Sequence, residues 1–117
     1  MSMRKLILVD DEPLFLKYLN NNVDWKKYGF VVAGTFSSGP DVLTYLSRHT
    51  VDSMITDIKM PLMDGSDLIR HALEIQKDLY IVALSGYDDF PLVKGAFING
   101  AKDYMLKIDV NTENFEK

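Results

Sequence analysis

Runs of about five mostly apolar residues recur along this chain, near 5–9, 30–35, 52–56, 80–84 and 103–106, each separated from the next by a longer stretch of helical periodicity. Runs of that length suit a buried strand and are short for a buried helix. Strands that alternate with helices pair in parallel, because each helix carries the chain back across the sheet before the next strand starts. The pattern therefore reads as an α/β domain, a doubly wound five-stranded parallel sheet of (βα)5 type.

The intervening stretches carry helix signals. Pro13 after Asp11-Glu12 suits a first helical turn, with Phe15, Leu16, Leu19 and Val23 turned inward and Asn20-Asn21-Asn22 weakening its end. Ser37 or Ser38 suits the N-cap of a second helix, with Pro40 in its first turn and Val42, Leu43 and Leu46 inward. A third helix follows Asp64-Gly65, with Leu68, Ala72 and Ile75 on one stripe. The fourth follows Asp88-Asp89, with Phe90, Val93 and Phe97 on one face and Asn99-Gly100 as its close. Asn111-Thr112-Glu113-Asn114 reads as the start of a truncated fifth helix.

At 117 residues the chain suits one core and not two. Zero cysteines exclude a disulfide framework, thiol nucleophiles and cysteine-ligated metals. No apolar run approaches the ~20 residues of a membrane span, and Met1-Ser2-Met3-Arg4-Lys5 leads straight into a strand-length run rather than a signal peptide. A cytoplasmic protein without membrane contact is expected. With a net charge of −4 and scattered basic residues, the chain has no electrostatic footprint for nucleic acid.

Polar residues that carry chemistry sit at the ends of four of these strands. Asp10-Asp11-Glu12 follows the first, Asp57 the third, Ser85-Gly86 the fourth and Lys107 the last. In an open parallel sheet the C-terminal strand edge is where ligands bind, so these side chains converge on one rim. Asp57, followed by a loop with Met60-Pro61 and Asp64-Gly65, is expected to be rigidly held and accessible, and Gly86 leaves room beside Ser85. Carboxylates gathered from two strands repel unless a cation neutralises them, and helix capping alone does not call for acids on both. An oxygen-only donor set favours Mg2+. A carboxylate beside such an ion can attack a phosphoryl group, with Lys107 and the Ser85 hydroxyl as the available donors to the charge that develops.

In this order and spacing, from about Lys5 to Lys107, the residues resemble the receiver domain of two-component response regulators. The resemblance implies a flavodoxin-like (CheY-like) sheet of order 2-1-3-4-5 and a phosphoacceptor role for Asp57, served by a sensor histidine kinase. It implies Asp11, Asp57 and the Lys59 backbone carbonyl as Mg2+ ligands, with Asp10 acting through water. Ser85 and Tyr104 become switch residues, and the face of helix 4 and strand 5 reports the change or supports a weak homodimer. Such a domain modifies itself but turns over no substrate.

Ser85-Gly86-Tyr87-Asp88-Asp89-Phe90, with Val23-Asp24-Trp25-Lys26-Lys27-Tyr28-Gly29-Phe30, is similar to receivers joined to AraC-type DNA-binding domains. The whole of 1–117 then reads as receiver, with DNA binding left to an output domain outside it. A non-phosphorylated scaffold is the alternative. An aspartate-nucleophile phosphatase is disfavoured, because its Asp-x-Asp would need an acid where Lys59 stands. One departure is Ile108, where receivers usually have a proline preceded by a cis bond; without proline that bond costs roughly 2–3 kcal/mol more. A trans bond is expected there, with Lys107 displaced from Asp57 or reaching it only in the phosphorylated state.

Overall fold

The structure, a computed structural model, describes residues 3–60, 63–86 and 90–110. Strands β1 (Arg4–Val9), β2 (Phe30–Phe36), β3 (Ser53–Asp57), β4 (Tyr80–Ser85) and β5 (Asp103–Leu106) alternate with helices α1 (Pro13–Asn22), α2 (Gly39–Leu46), α3 (Gly65–Ile75) and α4 (Phe90–Ile98). All pairings are parallel, in the order β2-β1-β3-β4-β5. This is the expected doubly wound, CheY-like sheet. Pro61, the Tyr87-Asp88-Asp89 start of helix 4 and the Asn111–Asn114 helix start lie outside the described residues.

Alternation along the strands sends side chains to two cores. Ile7, Val9, Met54, Ile81 and Ala83 pack with Val42, Leu46, Leu68, Ile69, Ala72, Val93 and Ala96 from α2, α3 and α4. Leu6, Leu8, Ile55 and Leu84 face the other way, onto Leu19 of α1, Val23 just after it and Trp25 in the 3-10 turn that follows. The indole of Trp25 is tied back to α1 by its N–H, which donates to the Leu19 carbonyl at 3.1 Å.

Local signals explain where helices begin. Pro13 occupies the first turn of α1, and the Ser38 hydroxyl accepts from the Asp41 N–H at the start of α2. Asp64 caps α3 in the same way, accepting from the Asp67 N–H at 2.9 Å. Two expected inward residues point elsewhere. Ile75 and Phe97 are both 41% exposed, because Ile69 and Ala96 fill the inward positions of α3 and α4.

The strands also run one residue beyond the apolar pattern. Asp57 pairs with Leu84, and Ser85 pairs with Leu106, so both functional residues are the last rungs of the ladder rather than the first positions of loops. Backbone pairing fixes them more firmly than a loop would.

Gly65 closes this rim. Its N–H donates to the Ile58 carbonyl at 2.6 Å, and a Cβ there would lie 2.5 Å from the Ile58 Cα and 2.6 Å from the Asp57 carbonyl oxygen. Helix α3 thus starts against the backbone that carries Asp57, at a separation only glycine allows. Gly65→Ala is expected to lower stability by roughly 1–3 kcal/mol in urea unfolding, as overpacking against rigid backbone does. A loss below ~0.5 kcal/mol, the range of an ordinary surface substitution, would show that this contact is not tight.

Candidate functional site

β1 ends at Val9, β3 at Asp57 and β4 at Ser85, and the short 3-10 turn Lys107–Asp109 begins directly after β5. Since β1, β3, β4 and β5 are consecutive in the sheet, their ends form one rim. Carboxylate oxygens of Asp10, Asp11 and Asp57 lie within 4.8 Å of one another. Asp10 and Asp57 are buried, at 0% and 2% exposure, while Asp11 is partly open.

Lys107 compensates this charge. Its Nζ lies 2.9 Å from Asp10 Oδ2, 3.0 Å from Glu12 Oε1 and 3.3 Å from Asp57 Oδ2. The first of these is an ion contact without good hydrogen-bond alignment. The ammonium also sits over the face of the Phe15 ring, 4.9 Å from its centre.

The expected displacement of Lys107 from Asp57 is not observed. The described backbone contains no cis peptide bond, so the bond before Ile108 is trans, and the lysine stem still spans the distance. Asp57 is also less accessible than its position suggested, because Lys107 lies against it.

Burial raises the Asp57 carboxyl to about 7 from its ordinary 3.8, with the charge of Asp10 adding to the effect; Lys107 and the Lys59 N–H oppose it. Asp10 is raised as well, mainly by burial, against the Glu12 N–H and Lys107. Burial would lower Lys107, but its contacts with Asp10 and Glu12 and the charges of Asp10 and Asp57 outweigh that and raise it. The lysine stays protonated, and Asp10 and Asp57 are held reluctant to ionise.

The other expected site residues are placed as follows. The Lys59 N–H reaches Asp57 Oδ1 at 3.4 Å, and its side chain is exposed. Ser85 is fully buried, and its hydroxyl has no hydrogen-bond partner among the described residues. Tyr104 is partly exposed on β5, with its ring edge-on to Phe97 at 5.8 Å. Sequence reasoning read Glu12 only as part of the acidic run and Phe15 only as core; both touch Lys107. No local signal marks a contact that spans 95 positions, as Glu12 to Lys107 does.

These residues fit a hard divalent cation. Oxygen donors converge, burial destabilises Asp10 and Asp57 as anions, and the buried Ser85 hydroxyl has no hydrogen bond among the described residues.

The raised Asp57 value has a definite sign for stability. The unfolded chain releases this proton from near pH 4, the folded chain only near 7, so ionisation between those values works against folding and stability falls as pH rises through the window. In Mg2+-free buffer, Asp57→Asn should therefore be more stable than the wild type above pH 7, by of order 1 kcal/mol or more. Urea titrations across pH should show the gain shrinking towards pH 4. A gain that is independent of pH would contradict this.

Comparison with known proteins agrees with the geometry. The chain is 32% identical over 105 residues to the transcriptional regulatory protein HptR of Staphylococcus aureus, an alignment covering 90% of this chain and 41% of that protein. The chain thus spans about two fifths of the length of that relative. The REC domain of AraT, a response regulator from Geobacillus stearothermophilus, superposes with a TM-score of 0.86 at 26% identity, over 97% of this chain and 87% of that one. A CheX–CheY complex with BeF3 and Mg2+ from Borrelia burgdorferi gives 0.78 at 26% identity, over 90% of this chain and 78% of that one. Residues 6–115 match the family model of the response regulator receiver domain, and with the sheet order and the acidic rim already described, the chain belongs to that family.

Proposed function

We propose that Asp57 accepts a phosphoryl group from the phosphohistidine of a sensor histidine kinase and that this controls an output domain. The observation that carries the reading is the three-way contact of Lys107 with Asp10, Glu12 and Asp57 above a converging set of acids. A receiver is a signalling module rather than a turnover enzyme, and a histidine kinase is the general class of its partner.

Each residue has a role that follows from its surroundings. Asp57 is the nucleophile, held by strand pairing. Lys107 supplies a fixed positive charge, and Ser85 a hydroxyl with no competing partner among the described residues. Asp10, Asp11, Asp57 and the Lys59 carbonyl are the groups that would hold Mg2+. When bound, that ion offsets the repulsion between the carboxylate and the incoming phosphoryl group. The Borrelia relative, with Mg2+ and a beryllofluoride in its complex, supports this assignment by analogy.

The output reading is of AraC type. It rests on the Ser85–Phe90 and Val23–Phe30 stretches, and likeness to a transcriptional regulatory protein supports a transcriptional output in general. Phe97 and Ile98 on α4 and Tyr104 on β5 are exposed beside each other in sequence or by ring contact, a surface suited to relaying the switch or to a weak homodimer. DNA contact would belong to the output domain.

Incubation with phosphoramidate and Mg2+ followed by intact-mass measurement should give one phosphoryl adduct, lost on treatment with hydroxylamine. Asp57→Ala should remain folded and form none. Undiminished labelling of that variant would remove Asp57 from its role, and an unlabelled wild type would favour a scaffold that works without phosphorylation.

A further inference from the structure

Glu12 stands at the N-cap of α1, where a short polar side chain ordinarily bonds the free N–H groups of the first turn. Its side chain makes no such bond. Instead Oε1 accepts from Lys107 Nζ at 3.0 Å, joining residues 95 positions apart. Lys107 is thereby held across Asp57, whose side chain is left 3% exposed.

Three carboxylates crowd one ammonium, and its aligned hydrogen bond goes to Glu12. An incoming phosphoryl oxygen competes with these acids for the same charge, and one of them must give way. Asp10 and Asp57 are buried, and leaving either unpaired there is costly. Glu12 is 66% exposed at its side chain and is readily solvated when released.

We propose that Glu12 is a positioning residue for phosphoryl transfer at Asp57: it restrains Lys107 over the carboxylate, and its release sets how readily the lysine turns to the phosphoryl group. The inference rests on the phosphoacceptor reading above. With phosphoramidate as donor, whose nitrogen is already protonated as –NH3+ near neutral pH, the P–N bond breaks as an Asp57 carboxylate oxygen bonds to phosphorus, and ammonia leaves with the electron pair of the broken bond. Lys107 gives up no proton in this step; it exchanges the Glu12 carboxylate for a phosphoryl oxygen. The Phe15 ring, whose centre lies 4.9 Å from the ammonium, blocks movement in that direction.

The test compares initial rates of adduct formation, at saturating Mg2+, for the wild type, Glu12→Gln and Glu12→Asp. Glu12→Gln removes the charge of the pair. Glu12→Asp keeps the charge but shortens the arm and suits the N-cap position, so the restraint is lost while the local field remains. Both variants should react about two- to fivefold faster than the wild type, the range that an exposed ion pair spans. Both should also shift the 15N resonance of the Lys107 ammonium in the unphosphorylated state. Equal rates in all three proteins would overturn the inference, as would a Glu12→Asp variant that tracks the wild type while Glu12→Gln is fast, because a general field effect would then suffice. A wild type that forms no adduct at all would overturn the phosphoacceptor reading, and this inference with it, whereas an adduct formed at an unchanged rate in Glu12→Gln overturns the inference alone.

Discussion

Like charge brought together at the end of a parallel sheet is the constraint around which this domain is arranged. β1 and β3 are hydrogen-bonded neighbours, so residues just beyond or at their ends cannot avoid one another, and here those residues are Asp10, Asp11 and Asp57. Burial sharpens the conflict by removing the water that would otherwise screen it. Lys107 partly resolves it, reaching over from the far side of β4 with its ammonium over the Phe15 ring. Much of the surrounding structure serves to keep these groups in place. Gly65 lets α3 abut the Asp57 backbone, and the ladder continues through Asp57 and Ser85.

The fold was legible in the sequence because each strand is a short apolar run bounded by turn residues, and the starts of α1, α2 and α3 carry recognisable signals. Ser38, Asp64 and Pro13 all act as their types suggest. The members of the site were legible for a related reason. A polar residue directly after a buried strand can only lie at the sheet edge, so Asp10, Asp57, Ser85 and Lys107 could be placed before their contacts were known.

What could not be read were distances and directions across the rim. Lys107 was expected to stand off from Asp57 because Ile108 replaces the usual proline, yet a flexible four-carbon stem reaches its partner from a trans backbone. The openness of Asp57 was overestimated for the same reason, since a lysine from another strand covers it. On α3 and α4 the helical period identified an apolar stripe but not its centre. Small Ala96 sits deepest where the helix approaches the sheet, and the larger Phe97 is displaced outward to meet Tyr104.

Charge compensation is therefore the claim on which the account stands, and Mg2+ binding tests it most directly. Isothermal titration near pH 7 should show one Mg2+ per chain, with proton release revealed by heats that differ between buffers, because a cation beside Asp57 stabilises its ionised form. Asp11→Asn should weaken that binding with Asp57 still in place. Wild-type and Asp11→Asn proteins with the same affinity, or a wild type that takes up no Mg2+, would contradict the account.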